Sequence, residues 1–219
     1  LIYDNGGYII NDDKTKSGMD DPKTVEAMEM LEGWIKDGVL PPIETMSENG
    51  EDVLLESGKV AMVPQGSWMI AAFRDNEYTA ENCDCVELPK SATTGRRASL
   101  YNGLGWAASA NTEHPEEAWQ LIEYLGSKEA QEKQAELGVT MSAYTGTSEA
   151  WAKSANFNLQ AYINMMDDME IRPYSRSTVT WENKNSEILK SVYSGDKTMA
   201  DACKEMAEQM NESLAEEQQ

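Results

Sequence analysis

Histidine and cysteine are scarce in this sequence. The 219 residues include one histidine, His114, and three cysteines, Cys83, Cys85 and Cys203. A structural zinc site is built from several His and Cys ligands, and a disulfide framework needs a larger, even set of cysteines. The sequence therefore predicts no metal site, and the odd cysteine count leaves at least one thiol free.

Basic residues and long apolar runs are also lacking. Lysine and arginine number 18 against 39 acidic residues, which gives a net charge of −21. Such a charge repels nucleic acid and anionic membrane surfaces, so neither is an expected partner. No apolar run approaches the roughly 18 residues of a membrane span. The chain begins at Leu1 without an initiator methionine, a basic leader or a cleavage site, and we expect a processed or truncated product.

Catalytic motifs are absent as well. The segment Gly66–Met69 lacks the second glycine of a nucleophile elbow. The segment Asn102–Trp106 has two glycines but not the third that a dinucleotide-binding turn requires. The many carboxylates do not allow the sequence to single out the catalytic pair that a glycosidase needs, so a glycosidase stays a possibility. We predict no catalytic residue, no cofactor and no enzymatic activity.

The stretch KVAMVPQGSWMIAAF, residues 59–73, carries the most informative pattern. The apolar run 60–63 predicts a buried strand that stops at Pro64. Ser67 suits the N-cap of a helix, so Trp68 would lie in the first turn of that helix. In open α/β sheets, ligands bind where strands end and helices begin. Trp68 and Ser67 are therefore candidate ligand-binding residues.

Capping signals and apolar periodicity predict several further elements. Asp21 and Pro22 suit the N-cap and first position of one helix, and residues 198–201 resemble a capping box with Asp in place of Glu. We expect a buried stripe on the helix after His114 and a frayed tail AEEQQ. The expected helices cover 21–38, 51–58, 114–126, 127–138, 180–195 and 198–214; the expected strands cover 60–63, 85–88 and 104–109; the expected stripe is Ala118, Leu121, Ile122 and Leu125.

Aromatic residues and polar residues recur where predicted elements meet loops. The chain has 6 Trp and 9 Tyr against 2 Phe, a balance that suits amphipathic ligands such as sugars. Aromatic faces stack on sugar rings, while amide and guanidinium groups bond the hydroxyls. Besides Ser67 and Trp68, the candidates are Tyr101, Asn102, Gly103, Trp106, Tyr174 and Arg176. The alternative, that Trp106 fills a core and Arg176 makes a surface ion pair, stays open.

Four blocks of the sequence carry a family resemblance. They are NGG with DDPKTVEAMEMLEGWIKDGVLPP near the start, ESGKVAMVPQGSWM, NGLGWAASANTEHPEEAWQLIEYLGSKEAQEKQAELGV, and SEILKSVYSGDKTMADACKEMAEQMNESL near the end. In this order they resemble the C-terminal half of a family 1, carbohydrate-type extracellular solute-binding protein of an ABC transporter, related to maltodextrin-binding protein. The resemblance covers nearly the whole chain.

This resemblance implies an α/β, periplasmic-binding-protein-like fold of type II. The chain would be its helix-rich C-terminal lobe, with a sugar or oligosaccharide held in an interlobe cleft and delivered to a membrane permease. Trp68 and the segment Asn102–Trp106 match the family blocks as ligand-facing positions, whereas Tyr174 and Arg176 lie in a more variable block. The location would be extracellular, as a membrane-anchored lipoprotein, or periplasmic.

Family members are about twice this length, which has consequences for three expected segments. Residues 1–103 and 146–219 would form the C-terminal lobe, and 104–145 would cross to a first lobe that this chain mostly lacks. A strand without partners exposes unpaired backbone groups. We therefore expect 104–145 to be repositioned, mobile or paired with a second copy, and sugar binding by this chain to be weak.

Other functions remain open at this stage. The same fold could bind a polyamine, a peptide or an anion. A glycoside hydrolase would show a carboxylate pair in a pocket. A pure interaction module would show a flat apolar patch.

Overall fold

The computed structural model describes residues 1–218, and their side chains except those at positions 43 and 47. The described residues form eleven α-helices and two short strands. The helices are α1 Pro22–Lys36, α2 Ile43–Glu48, α3 Glu51–Glu56, α4 Ile70–Asp75, α5 Glu77–Asn82, α6 Pro115–Leu125, α7 Lys128–Glu136, α8 Ser148–Ala152, α9 Gln160–Asn164, α10 Thr178–Tyr193 and α11 Met199–Glu216; the strands are β1 Ser99–Tyr101 and β2 Met169–Ile171.

The chain divides into two compact units. Unit 1 contains Leu1–Gly50, Leu88–Tyr101 and the chain from Asp168 onward, and unit 2 contains Glu51–Glu87 and Asn102–Asp167. The three segments expected from the sequence, 1–103, 104–145 and 146–219, refer to the lobes of a complete binding protein, and that division stays a prediction.

Unit 1 is built around α11. Thr198 caps this helix by accepting a hydrogen bond from the backbone N–H of Asp201, which confirms the predicted N-cap. The buried face of α11 packs against α1 and α10, and the core is rich in methionine. The core methionines are Met19, Met28, Met199, Met206 and Met210. Asp21 and Pro22 start α1 as the sequence predicts, with the Asp21 side chain accepting from the N–H of Lys23.

The two strands of unit 1 form a small parallel sheet. Ser99 pairs with Met169 and Tyr101 with Ile171, so both strands end at the same edge. The pairing continues one step further, because the backbone N–H of Arg172 donates to the carbonyl of Tyr101 at 3.0 Å. The chain before β1 is fixed by Arg97, whose guanidinium lies 2.8 Å from Asp168.

Unit 2 surrounds a core of aromatic and aliphatic residues. The core residues are Leu55, Ile70, Phe73, Ala135, Trp151, Phe157 and Leu159. Trp151 is fully buried and meets the ring of Tyr162 edge-on, with the ring centroids 5.7 Å apart. The Tyr162 hydroxyl donates to the carbonyl of Gln65 at 3.1 Å, which ties the segment before α4 to this core.

Three predicted strands are wrong. The runs 60–63, 85–88 and 104–109 have no regular secondary structure in the part of the chain that is described. A strand needs a neighbouring strand that completes its backbone hydrogen-bond ladder, and no such ladder involves these runs among the described residues. Their apolar side chains are not all buried: Leu104 is 86% exposed. The β1 strand ends at Tyr101, before the third of these runs begins.

Helix α6 starts and ends as predicted, but its expected buried stripe is wrong. No residue of this helix is buried in the described chain, and Leu121 is 57% exposed. The reason is that α7 is the main packing partner of α6 in unit 2, and a single neighbour covers little of its surface. At the other end of the chain, α11 continues through Glu216 instead of fraying after Leu214, and Gln219 lies outside the described residues.

No helix in residues 1–218 combines the length and the apolar character needed to cross a membrane.

Candidate functional site

The indole of Trp68 is exposed and folded back over Gly66. Residues Ser67–Met69 form a turn of 3₁₀ helix that leads into α4, so Trp68 lies in a first helical turn as predicted. The prediction that Ser67 is the N-cap is wrong, because Gly66 precedes the turn and no side chain caps it. A Cβ atom at Gly66 would lie 2.1 Å from Cζ3 of the Trp68 ring, which shows that the ring rests directly on the glycine backbone. Trp68 is 56% exposed, so much of the ring surface remains available to a ligand.

Neighbouring residues hold this turn in place. The amide side chain of Gln65 accepts from the N–H of Gly66 at 2.8 Å and donates to Glu51 at 3.2 Å. The Ser67 hydroxyl lies 3.3 Å from the hydroxyl of Thr140. Ser67 is therefore partly engaged within unit 2, whereas Trp68 is presented outward on a fixed support.

The segment Asn102–Trp106 lies in the same unit and is exposed along its whole length. Within the described chain, the side chain of Asn102 makes no hydrogen bond, and Trp106 is 58% exposed. The alternative that Trp106 fills a core is therefore wrong. A Cβ atom added at Gly103 would have no heavy atom within 4 Å, so this glycine faces open space. The segment offers an indole, an amide and free backbone groups to a ligand.

Tyr101 and Tyr174 flank one edge of the β1·β2 pair in unit 1. Tyr101 is the last residue of β1, and Tyr174 follows buried Pro173 shortly after β2 ends. Parallel strands bring their carboxyl ends to one edge, which is where α/β folds place ligands. Both tyrosines are exposed. The structure thus brings these two predicted residues to one edge of the sheet.

Lys14 covers one face of the Tyr174 ring. Its ammonium nitrogen lies 3.2 Å from the ring centroid, a cation–π contact. Lys14 has φ of 57°, an uncommon value for a residue other than glycine. The turn around it is held by the Asn11 side chain, which accepts from the backbone N–H groups of Thr15 and Lys16. The ring of Tyr174 is therefore supported from one side.

Among residues 1–218, Arg176 does not make the surface ion pair considered as an alternative. Its backbone N–H donates to the Glu217 carboxylate at 2.9 Å, and its guanidinium contacts the Glu217 backbone carbonyl at 3.5 Å. Sequence reasoning missed both Lys14 and Glu217, since neither lies in a recognisable motif. One weak signal existed: two adjacent glutamates at a helix C-terminus are unfavourable for the helix dipole.

An open depression elsewhere in unit 1 contains none of the predicted residues. It lies between α10 and α11 and is lined partly by Lys184, Glu187, Ser191, Lys197 and Glu205. The Lys197 ammonium is paired with the Glu205 carboxylate. Because this surface is polar and open, it lacks the apolar lining typical of a ligand site.

Residues 1–218 contain no cluster of side chains suited to binding a metal ion. No group of three or more His, Cys, Asp or Glu side chains in this range is placed to hold a metal ion. His114 is exposed, and its Nδ1 atom lies 4.0 Å from Glu117 at the start of α6. Burial, with the Asp84 charge adding to it, raises the pKa of the Cys85 thiol to about 11. A thiol with such a pKa is a poor nucleophile at neutral pH.

Solved structures of two other proteins show the fold class of this chain. The ABC substrate-binding protein Lmo0181 from Listeria monocytogenes, in complex with cycloalternan, matches with a TM-score of 0.82 at 19% identity, over 98% of this chain and 55% of that one. An ABC transporter solute-binding protein from Thermotoga lettingae TMO, bound with α-D-tagatose, matches with a TM-score of 0.79 at 22% identity, over 97% and 54%. The predicted fold class, α/β and periplasmic-binding-protein-like of type II, is confirmed.

The sequence match places the chain within a family. A family model described as bacterial extracellular solute-binding protein matches residues 2–167, and the chain belongs to this family. The maltodextrin-binding protein MdxE of Bacillus subtilis (strain 168) is 26% identical over 133 residues, which are 58% of this chain and 31% of that protein. A probable ABC transporter-binding protein of Deinococcus radiodurans is 25% identical over 131 residues, 59% and 31% respectively. The aligned region thus covers about a third of the length of each curated relative. The chain covers about half of the length of the solved proteins.

Proposed function

We propose that this chain is the ligand-binding part of a sugar-binding component of an ABC importer. It binds a sugar or oligosaccharide, delivers it to a membrane permease, and performs no covalent chemistry. The observation that carries the proposal is Trp68, an indole mounted on Gly66 with much of its surface exposed. The names of the relatives support it, since one is a maltodextrin-binding protein and solved neighbours hold cycloalternan and tagatose.

The exposed side chains fit a neutral, hydroxyl-rich ligand. The rings of Trp68, Trp106 and Tyr174 offer apolar faces to the C–H surface of a sugar, and the Asn102 amide can both donate to and accept from hydroxyls. An uncharged sugar also avoids repulsion by a chain whose net charge is −21. We propose Ser67, Trp68, Tyr101, Asn102, Gly103, Trp106, Tyr174 and Arg176 as its contacts.

Binding by the 219-residue chain alone is expected to be weak. The chain has about half the residues of the solved proteins that hold such ligands. We expect a dissociation constant of about a millimolar, or roughly −4 kcal/mol. Binding at nanomolar concentration would contradict this part of the proposal.

Calorimetric titration with maltotriose, tagatose and spermidine tests the ligand class. The proposal expects saturable binding of a sugar by the wild type and loss of that binding in Trp68→Ala. Trp119→Ala is the matched control, because Trp119 is also an exposed indole of unit 2 but is not among the proposed contacts. Binding of spermidine alone, or equal sugar binding by both variants, would overturn the proposal.

We further propose that segment 104–145 mediates self-association of this chain. Helix α6 and its flanks expose many large apolar or aromatic side chains, namely Leu104, Trp106, Trp119, Leu121, Tyr124, Leu137, Val139 and Tyr144. Exposed apolar side chains concentrated in one segment favour association with a partner. Light scattering should show a concentration-dependent rise in mass for the wild type and a smaller one for Leu121→Asp. A strict monomer whose segment 104–145 is well protected from hydrogen exchange would contradict this proposal.

We propose an extracellular or periplasmic location, with a lipid anchor as one form of it. The family described for residues 2–167 is extracellular. Fractionation of the source cells would test the location, and recovery in the cytoplasmic fraction would contradict it.

A further inference from the structure

The C-terminal end of α11 carries an unfavourable arrangement of charges. Its last turn carries Glu216, its C-cap is Glu217, and no basic residue is present in that turn. The C-terminus of a helix bears partial negative charge, so carboxylates there are unfavourable for α11 itself. Because these carboxylates destabilise the end of α11, we expect one of the glutamates to make stabilising contacts elsewhere in unit 1.

Glu217 accepts hydrogen bonds from the residues that lead into α10. Ser177 occupies the N-cap position, but its side chain makes no capping bond of its own. Instead, its hydroxyl and its backbone N–H both donate to the Glu217 carboxylate, the latter at 2.7 Å. The N–H of Arg176 donates to the second carboxylate oxygen at 2.9 Å. A carboxylate at this end of α10 is favoured by the helix dipole.

The same carboxylate fixes the residues just before α10. The Ser175 hydroxyl donates to Glu217 at 2.7 Å and accepts from the indole N–H of buried Trp181 at 3.0 Å. The Ser175 N–H donates to the Thr178 hydroxyl at 2.7 Å. Glu217 is thus the common acceptor for three consecutive residues, and Tyr174 directly precedes them.

Two residues of this segment are proposed ligand contacts. Tyr174 lies between buried Pro173 and Ser175, and its ring is supported by Lys14. Arg176 uses its backbone N–H for Glu217, and its side chain remains exposed. The six residues between β2 and α10, 172–177, have many possible conformations unless bonds of this kind select one.

We propose that Glu217 is a positioning residue that holds segment 174–178 in the conformation that presents Tyr174 and Arg176 to the sugar. This inference rests on the proposed function for its ligand, but the conformational part is independent of any ligand. Glu217 acts through the backbone of Arg176 and the side chains of Ser175 and Ser177, and it does not touch the sugar.

The pKa of Glu217 agrees with this role. Although partial burial raises it, hydrogen bonds from the Ser177 and Ser175 hydroxyls and from the Arg176 and Ser177 N–H groups lower the pKa of Glu217 to about 2. The carboxylate is therefore ionised at neutral pH, when it accepts all of these bonds.

Glu217→Gln, with Glu216→Gln as its control, tests the proposal. Each variant removes one charge from the same turn of α11, but Glu216 is exposed and outside the network. The first readout is the rate of amide hydrogen exchange, which NMR measures in the absence of ligand. Exchange at Arg176 and Ser177 should accelerate at least about tenfold in Glu217→Gln, since bonds to a charged acceptor are lost, and should stay unchanged in Glu216→Gln.

The second readout is maltotriose affinity in a mutant cycle in which both proposed contacts of the segment, Tyr174 and Arg176, are replaced by Ala. Glu217→Gln should weaken binding several-fold when these two side chains are present and have no further effect when both are absent, because Glu217 acts through them. A purely structural role would lower the melting temperature but leave affinity per folded molecule unchanged.

The outcomes separate this inference from the proposed function. Unchanged exchange at Arg176 and Ser177, or equal affinity loss with and without the Tyr174 and Arg176 side chains, would overturn the positioning role. If the wild type fails to bind maltotriose and every other sugar, the proposed function falls, and accelerated exchange alone then supports the conformational role of Glu217.

Discussion

At the scale of single residues, the missing side chain of Gly66 decides where the indole of Trp68 lies. The ring occupies the space that any Cβ atom at position 66 would take. The φ of Gly66 is −85°, an ordinary value, so the glycine is needed for this close approach and not for an unusual backbone. A proposed ligand contact is thereby preorganised by a residue without a side chain.

The substitution Gly66→Ala tests this arrangement. The Trp68 ring is the outer end of an exposed side chain and can swing away, so we expect a stability change within about 0.5 kcal/mol. Sugar affinity should fall because the ring leaves its support. Gly33→Ala is the control: position 33 lies inside α1 with free space around it, so stability should rise by about 0.5–1 kcal/mol with no effect on affinity. Equal affinities for the two variants would contradict this account.

The cysteines give a second prediction at this scale. Burial raises the pKa of Cys203 to about 11, with the charge of Glu29 adding to it, and burial raises that of Cys85 similarly. Both thiols should stay protonated at neutral pH and react slowly with a thiol reagent in the folded chain. Mass spectrometry after a short exposure should find these two cysteines unlabelled, and unfolding in guanidinium chloride should make them reactive. Fast labelling of Cys85 in the native state would contradict the structure.

At the scale of elements, helices could be predicted from the sequence and strands could not. The caps of α1 and α11 depend on residues three or fewer positions apart, such as Thr198 with Asp201. A strand such as 104–109 depends on a neighbour far away in the sequence, and the apolar pattern alone says nothing about whether that neighbour is present. The same limit applies to the site, because Lys14 and Glu217 meet Tyr174 and Arg176 only in the folded chain.

Helix α6 shows that an amphipathic sequence pattern does not by itself predict which side chains are buried. Its apolar residues match a buried stripe, yet Leu121 is exposed while Leu214 of α11 is fully buried. We expect Leu121→Asp to change the free energy of unfolding by less than about 0.5 kcal/mol, whereas Leu214→Ala should cost about 2–5 kcal/mol. Urea unfolding at a concentration where the chain is monomeric measures both. A large loss for Leu121→Asp would mean that α6 has a partner that the structure does not show.

The hydrogen bonds that Glu217 accepts from the segment before α10 predict a particular dependence on pH. The pKa of Glu217 is about 2 in the folded chain, below its ordinary value of 4.5, so its contribution to stability is present above about pH 4.5 and is lost as pH falls toward about 2. The stability difference between wild type and Glu217→Gln should therefore be largest at neutral pH and shrink on acidification. A difference that grows as pH falls would contradict this stabilising role of the Glu217 carboxylate.

At the scale of the whole molecule, the chain has the family fold and about half the length of the solved proteins that it matches. Residues 2–167 match the family of extracellular solute-binding proteins, and unit 1 and unit 2 each have a core of their own. The net charge of −21 makes a neutral ligand easier to accept than an anion. Of the proposed contacts, Trp68 and Trp106 belong to unit 2, and Tyr101 and Tyr174 belong to unit 1.

Fluorine NMR of the chain labelled with fluorotryptophan, titrated with maltotriose, tests this account most directly. The six tryptophan signals are assigned by single Trp→Phe variants. The account predicts a saturable shift of the Trp68 signal, while Trp151 and Trp181, which are buried in the two cores, stay unchanged. A Trp68 signal that does not move up to concentrations well above a millimolar would contradict the claim that this indole contacts a sugar.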